Sequence, residues 1–107
     1  MKLITAIVNK EDSKAVNHEL INAGYAVTRL STTGGFLLAG NVTMLIGTED
    51  EKVDDCIRII ADNSRQRTEV VPSTSSYGVA VTTAFPLEVT VGGATVFVTD
   101  VERFEKL

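Results

Sequence analysis

A glycine-rich segment at residues 31–41 carries the side chains best suited to ligand chemistry in this chain. It contains three glycines, several hydroxyl side chains, Phe36 and, at its end, Asn41. Glycines let backbone N–H groups approach an anion closely, an aromatic ring can stack on a base, and a carboxamide can pair with an adenine edge. The segment therefore predicts a nucleotide-binding loop. A tight turn, plugged into the core by Phe36 and capped by Asn41, is the alternative interpretation.

The spacing of these glycines differs from the common phosphate-binding loops. It matches neither the nucleoside triphosphate loop pattern nor the dinucleotide fingerprint, so a standard site of either kind is excluded. A second anion candidate is Gly47 with Thr48, which we predict at the N-terminus of the second helix. The acidic residues 49–51 weaken this candidate, since they already occupy the positive end of the helix dipole. A second, shorter segment that begins with two glycines lies at residues 92–97.

No set of residues is suited to bond-breaking chemistry. Cys56 is the single cysteine and lies at an apolar position of a helical pattern, so we interpret it as a small buried side chain. His18 is the single histidine, and we interpret it as a surface residue. The acidic clusters at residues 49–55 lack the ligand order of a calcium loop. The sequence therefore predicts a binding protein, not an enzyme, without a metal or a cofactor.

Length and charge narrow the class of protein. The chain has 107 residues and a formal net charge of −4, which predicts one domain over residues 1–107. An acidic chain has no basic field to attract nucleic acid. No apolar run approaches the roughly 20 residues of a membrane span, and the first apolar run is too short for a signal peptide. We therefore expect a cytoplasmic protein that holds any phosphate ligand by local contacts.

Hydrophobic periodicity predicts the element order β-α-β-β-α-β, followed by an additional C-terminal hairpin strand. The predicted strands cover residues 2–9, 26–32, 41–46, 65–71, 87–91 and 94–100, and the two main helices cover about 12–23 and 48–63. This order is typical of a ferredoxin-like α+β fold, with two helices on one face of an antiparallel sheet. Because the strands are apolar on both sides, we expect the opposite face to be covered by oligomerisation.

Local signals predict where the helices begin and end. Asp12 or Ser13 is predicted to cap the first helix, and Gly24 is predicted to stop it. Thr48 and Glu51 have the spacing of a capping box for the second helix.

Two further features lie towards the C-terminus. Residues 92–93 are predicted to form a hairpin turn between the last two strands, and residues 101–106 a short terminal helix. Residues 73–86 are predicted to form a long loop, in which Tyr77 and Phe85 are candidates for a second stacking surface.

Three motifs closely resemble the PII-like cyclic-di-AMP receptor proteins. They are TTGGFL at residues 32–37, AGN at residues 39–41 and GGATVFV at residues 92–98. The resemblance covers essentially the whole chain. It implies a homotrimer of ferredoxin-like subunits that binds cyclic-di-AMP in clefts between neighbouring subunits. It also implies a sensor without catalytic activity, whose loops rearrange on binding and engage an unidentified downstream protein.

The resemblance also implies which residues line the ligand site. They are Thr28, Gly35, Phe36, Leu37, Asn41 and Gly47, with Gly92, Gly93 and Phe97 around them. In this interpretation Asn41 meets an adenine edge, Phe36 lies against a base and backbone amides meet the phosphates.

The chain also departs from these relatives. Ala26 stands where several of them carry an arginine, so a charge-assisted contact is missing. Arg29 lies on the opposite strand face and is a poor substitute. Residues 73–84 lack the Pro-Met-Gly-Gly type of sequence found in relatives, so the loop's behaviour and its partner do not carry over.

Three other functions are considered. The first is a general adenine-nucleotide sensor of the same fold. The second is a metal-responsive trimer similar to the divalent-ion tolerance proteins, against which the single histidine and single cysteine argue. The third is an acylphosphatase-like enzyme, against which the acidic first loop at residues 9–12, with no arginine, argues.

Overall fold

Two helices lie on one face of a four-stranded antiparallel sheet in the computed structural model, which describes residues 1–30, 40–72 and 86–107. The elements are β1 (Lys2–Asn9), α1 (Lys10–Asn22), β2 (Val27–Leu30), β3 (Asn41–Thr48), a 3₁₀ turn (Asp50–Lys52), α2 (Val53–Asp62), β4 (Arg67–Pro72), β5 (Pro86–Val91) and β6 (Ala94–Asp100). The predicted α+β, ferredoxin-like class is confirmed.

The four-stranded sheet has the order β2-β3-β1-β6, and every neighbouring pair is antiparallel. The last strand therefore takes the edge position beside β1. Strands β4 and β5 pair with each other in a separate two-stranded ribbon, from Arg67 opposite Val91 to Pro72 opposite Pro86.

The predicted hairpin turn at residues 92–93 is wrong. These glycines join β5 of the ribbon to β6 of the main sheet, so the strands on either side of them do not pair with each other. Gly92 and Gly93 have φ angles of 84° and 80°, which allow the chain to change direction between the two sheets. A local pattern identifies the turn residues, whereas the partner of each strand is decided by contacts distant in sequence.

The core lies between the sheet and the two helices. Alternate residues of β1 and β3 are buried, including Ile4, Ala6 and Ile46. They pack in one cluster with buried residues of α1 and α2, among them Leu20 and Ile60. Burying each large apolar side chain contributes about 1.5–3 kcal/mol, so this single layer supplies most of the driving force for folding. The apolar stripe predicted for α2 is confirmed.

The predicted N-terminal cap of α1 is wrong, whereas its predicted C-terminal stop is right. The helix begins at Lys10, because the Asn9 side chain accepts a hydrogen bond of 2.8 Å from the Glu11 N–H. At the other end Gly24 has a φ of 93°, and the N–H of Tyr25 donates to the Leu20 carbonyl over 3.0 Å. This six-to-one bond is the Schellman arrangement, so Gly24 stops the helix as predicted.

Asp12 and Ser13 take other roles inside the first turns of α1. The Ser13 hydroxyl donates to the Lys10 carbonyl over 2.8 Å, and the Asp12 carboxylate pairs with Arg67. Both residues are buried. Their polar groups are therefore satisfied inside the fold and are not free to cap the helix.

The capping box predicted for α2 is also wrong. Thr48 is the last residue of β3, opposite Lys2, and it is buried. The helical chain starts later, as a 3₁₀ turn that leads into α2 at Val53, and no side-chain cap bond is made at either start. Asn63 forms the C-terminal boundary of α2, as predicted. Residues 101–107 form no helix.

Candidate ligand-binding face

One face of the main sheet is left without helices by the described part of the chain. Side chains alternate along a strand, and directly paired residues point to the same face. Ile4 and Ile46 are paired and buried under the helices, so their strand neighbours point the other way. This open face consists of Leu3, Thr5, Ile7, Asn9, Thr28, Leu30, Asn41, Thr43, Leu45, Gly47, Thr95, Phe97 and Thr99.

Four residues predicted for the site share this open face. They are Thr28, Asn41, Gly47 and Phe97, and each is exposed. They come from three different strands, so only the pairing register could show that they lie on one side. Phe97 is 55% exposed, which is unusual for a ring of its size in the middle of a strand. The placement makes the open face, not the helical side, the candidate binding surface.

A cleft lies at one end of the open face, where β1 ends and where β3 and β6 begin. Its volume is ≈ 420 Å³, within the roughly 300–1,000 Å³ of small-molecule sites. The lining residues are Ile7, Asn9, Asn41, Gln66, Gly92, Gly93, Ala94 and Thr95. The cleft thus brings together the predicted residues Asn41, Gly92 and Gly93.

The cleft is polar but uncharged along its described lining, where no residue is ionisable. Three carboxamides meet there, from Asn9, Asn41 and Gln66. A carboxamide both donates and accepts hydrogen bonds, which suits the mixed edge of a purine base. The cleft is therefore suited to recognise a neutral base edge by hydrogen bonds and not a phosphate by charge.

Asn9 and Asn41 are held in place by the backbone around them. They face each other in the β1–β3 register. The Gly40 carbonyl accepts a hydrogen bond from the Lys10 N–H over 2.5 Å, which ties the start of β3 to the start of α1. The Asn9 side chain caps α1, so its oxygen is already engaged. Asn41 is therefore the better placed of the two to pair with a ligand.

Gly92 and Gly93, the two glycines of the cleft, are both packed against residues 64–67. A Cβ added to Gly92 would lie 2.8 Å from Arg67 Nη1 and closer still to the Arg65 carbonyl oxygen. The Gly93 N–H donates to the Ser64 carbonyl over 2.5 Å. Because that donor is occupied, Gly93 borders the cleft without offering its amide to a phosphate.

Gly47 lies inside β3, opposite Leu3, and not at a helix N-terminus. The anion site predicted from its position before a helix is therefore wrong. An added Cβ would meet nothing within 4 Å, and its φ is not positive. The backbone conformation therefore does not require glycine at this position.

Distances across the open face show that the predicted residues do not form one tight cluster. A single row of paired residues runs from Thr28 through Leu45 and Thr5 to Phe97. Three interstrand spacings of about 4.8 Å separate the ends of this row by about 14 Å. Asn41 lies four residues along β3 from Leu45, which is again about 14 Å.

Several predicted positions fall elsewhere. Gly35, Phe36 and Leu37, the loop at residues 73–85, and Tyr77 and Phe85 within it lie outside the described residues. Arg29 is paired with buried Met44 and lies on the helical side, as its predicted face requires. Asn9 and Gln66 were not predicted. The register pairing Asn9 with Asn41 could have revealed the first, whereas no sequence signal marks the second.

The other side chains that could react, Cys56, Tyr25 and His18, lie outside the cleft. The Cys56 side chain is fully buried, and burial raises its pKa to about 11. The Tyr25 hydroxyl lies 2.7 Å from an Asp55 carboxylate oxygen, and burial together with that hydrogen bond raises the pKa of Tyr25 to about 12. His18 is exposed and lies 3.1 Å from the Asn22 amide nitrogen. Within residues 1–30, 40–72 and 86–107, no three His, Cys, Asp or Glu side chains converge as a metal site.

Among the described residues, no helix has the length and apolar character needed to span a bilayer.

The antiparallel α+β fold and its polar cleft are those of a small-ligand-binding protein. A family model described as cyclic-di-AMP receptor matches residues 1–107. The chain belongs to this family, as the sequence motifs predicted. It is also similar to a functionally unknown protein from Pediococcus pentosaceus ATCC 25745, whose crystal structure has a TM-score of 0.75 to it. That protein is 40% identical, and the match covers 99% of this chain and 96% of the other.

Proposed function

We propose that this protein is a cyclic-di-AMP receptor that binds its ligand on the open face of the main sheet. The observation that supports the location is the shared face of Thr28, Asn41, Gly47 and Phe97. Membership of the cyclic-di-AMP receptor family supports cyclic-di-AMP as the ligand. In this proposal the chain works as one domain, by binding and without catalysis.

Each residue has a chemical role in the proposed complex. The Asn41 carboxamide donates to and accepts from one adenine edge. The exposed Phe97 ring offers an apolar surface for a base or a ribose. Gly47 lets the ligand approach the sheet backbone closely. Following the family resemblance, the loop with Gly35, Phe36 and Leu37 supplies further contacts, including backbone amides for the phosphates.

The subunit arrangement we propose is a homotrimer with the ligand at each subunit boundary. The open face carries apolar side chains that a monomer would leave wet, among them Leu30 and Phe97. The separation of about 14 Å between Thr28 and Phe97, at opposite edges of one row, suits a site shared by two subunits. In this arrangement Thr28 of one copy meets the same ligand as Phe97 of the next. We further propose a cytoplasmic location and an unidentified downstream protein partner.

Isothermal titration of the pure protein tests the ligand. We expect saturable heat with cyclic-di-AMP at about one ligand per subunit, and weaker binding of ATP and ADP. Binding of ATP or ADP without binding of cyclic-di-AMP would instead establish a general adenine-nucleotide sensor. No binding of any of the three would refute a nucleotide receptor.

Mixed oligomers test the shared site. Thr28→Val and Phe97→Ala subunits are unfolded together, refolded as a mixture and titrated with cyclic-di-AMP. If each site takes Thr28 and Phe97 from different subunits, mixed trimers contain some sites with both residues intact. Wild-type affinity then returns in a fraction of the sites. If both residues come from the same subunit, every site carries one of the two substitutions. No site then binds with wild-type affinity.

A further inference from the structure

Arg67 ties the β4–β5 ribbon to the first turn of α1. Its Nη1 and Nη2 atoms donate to the two carboxylate oxygens of Asp12 over 3.2 and 3.1 Å, in a two-bond fork. Its Nε atom lies 3.4 Å from Glu69, and Nη2 lies 3.7 Å from Glu11. The Asp12 residue is only 8% exposed. A forked pair with one buried partner fixes geometry as well as charge.

The same guanidinium supports the wall of the cleft. Arg67 Nη1 also donates to the Arg65 carbonyl over 3.1 Å. That carbonyl and that Nη1 atom are the groups that crowd Gly92. At the adjacent residues, the Gly93 N–H donates to the Ser64 carbonyl. Residues 64–67 are thus held against residues 92–93, with Gln66 facing the cleft.

We infer that Arg67 is a positioning residue for the ligand, acting through the segment that carries Gln66 and Gly92. Arg67 does not line the cleft itself. This inference rests on the proposed function. A two-stranded ribbon is marginally stable on its own, so its position against the body depends on such attachments. Without the two-bond contact between Arg67 and Asp12, residues 64–67 and 92–93 are in the binding-competent position for only a fraction of the time. The apparent Kd rises in inverse proportion to this competent fraction.

Arginine is required because the contact is forked. Lysine would keep the charge but offers a compact ammonium in place of two parallel N–H donors. It would satisfy one Asp12 oxygen and leave the Arg65 carbonyl without its donor. We therefore expect Arg67→Lys to restore only part of the effect.

The test compares Arg67→Gln and Asp12→Asn with a matched control, Arg58→Gln. Arg58 also pairs with two carboxylates, Asp55 and Asp62, but on the outer face of α2. Isothermal titration with cyclic-di-AMP gives the Kd, and hydrogen exchange gives the protection of the Gly93 amide.

For a competent fraction of about one in ten, Arg67→Gln and Asp12→Asn each weaken binding about tenfold. The double variant binds about as weakly as Arg67→Gln alone, because Asp12 acts on the cleft only through Arg67. Gly93 exchange accelerates in both, whereas the Arg58→Gln control keeps the wild-type Kd and the wild-type Gly93 protection.

An Arg67→Gln variant with wild-type Kd and wild-type Gly93 protection would overturn the inference. An equal loss of affinity in Arg58→Gln would also overturn it, because the effect would then be general destabilisation. Failure of the wild-type protein to bind the nucleotide counts against the proposed function alone. The Gly93 exchange rates then decide the role of Arg67, because they need no ligand.

Discussion

Replacing Gly92 with alanine tests the crowded corner beside the cleft. The residue has a φ of 84°, where an L side chain costs roughly 1–2 kcal/mol. The added Cβ would also lie 2.8 Å from Arg67 Nη1 and closer to the Arg65 carbonyl oxygen. The arginine tip can move, but the backbone carbonyl cannot move cheaply, and overpacking of this kind costs about 1–3 kcal/mol. We expect Gly92→Ala to lower the free energy of unfolding by about 2–5 kcal/mol.

Gly93→Ala provides the matched control for this experiment. Its φ of 80° carries the same conformational cost, but the nearest atom to an added Cβ is Gln66 Cβ at 3.8 Å. The difference between the two variants therefore isolates the steric part, about 1–3 kcal/mol. Urea unfolding at one fixed protomer concentration measures both variants. Equal midpoints for Gly92→Ala and Gly93→Ala would refute the crowding at Gly92.

Three further predictions concern single side chains. Asn41→Ala should weaken cyclic-di-AMP binding by about 1–3 kcal/mol, measured by titration, because a base edge loses its partner; an unchanged Kd would remove Asn41 from the site. Raising the pH from 10 to 12 should cost about 2 kcal/mol of stability through Tyr25, whose pKa is raised to about 12, because the unfolded chain ionises first. Denaturant midpoints of the wild-type protein and of Tyr25→Phe between pH 10 and 12 measure this effect. Tyr25→Phe should lose less stability than the wild-type protein, and an identical loss in the two would contradict the raised pKa. The pKa of about 11 for Cys56 predicts roughly 100-fold less thiolate than at an unperturbed cysteine at pH 8. Alkylation should therefore be slow in the folded protein and fast after unfolding, whereas rapid labelling of the folded protein would contradict its burial.

Gly47→Ala separates a ligand contact from a structural need. The position has space for a methyl group and an ordinary backbone conformation. We therefore expect the free energy of unfolding to change by less than about 0.5 kcal/mol. Affinity for cyclic-di-AMP should fall if the ligand approaches the sheet backbone here. Unchanged affinity, measured by the same titration, would remove Gly47 from the site.

Short-range signals explain why much of the fold could be predicted. The stop at Gly24 follows from one residue type in one backbone conformation, and the stripe along α2 repeats at helical spacing. The faces of β2 also follow from simple alternation, so Thr28 and Arg29 were correctly placed on opposite sides. These features depend on neighbours within a few residues.

Several of the wrong predictions depend on contacts distant in sequence. Asp12 has a good capping side chain, but Arg67 engages it from 55 residues away. Thr48 has the spacing of a cap, but pairing with Lys2 keeps it in β3. The alternating patterns of β4 and β6 identify strands without saying which of them joins β1. Local propensity is a weak guide wherever tertiary pairing offers a competing conformation.

The candidate site was predicted in part for the same reason. Asn41 stood out by type and by its place after a glycine-rich segment, and Phe97 and Gly47 followed from the family resemblance. Gln66 has no motif around it and enters the cleft only because residues 64–67 are held against Gly92 and Gly93. Such a residue becomes visible only when the ribbon and the main sheet are placed together.

A crystal structure of the protein with cyclic-di-AMP would show where the ligand binds. We expect the nucleotide on the open face, with an adenine edge against the Asn41 carboxamide and residues of two subunits around it. A nucleotide bound on the helical side, between α1 and α2, would refute the proposed site. A ligand that touches neither Asn41 nor Phe97 would contradict it equally.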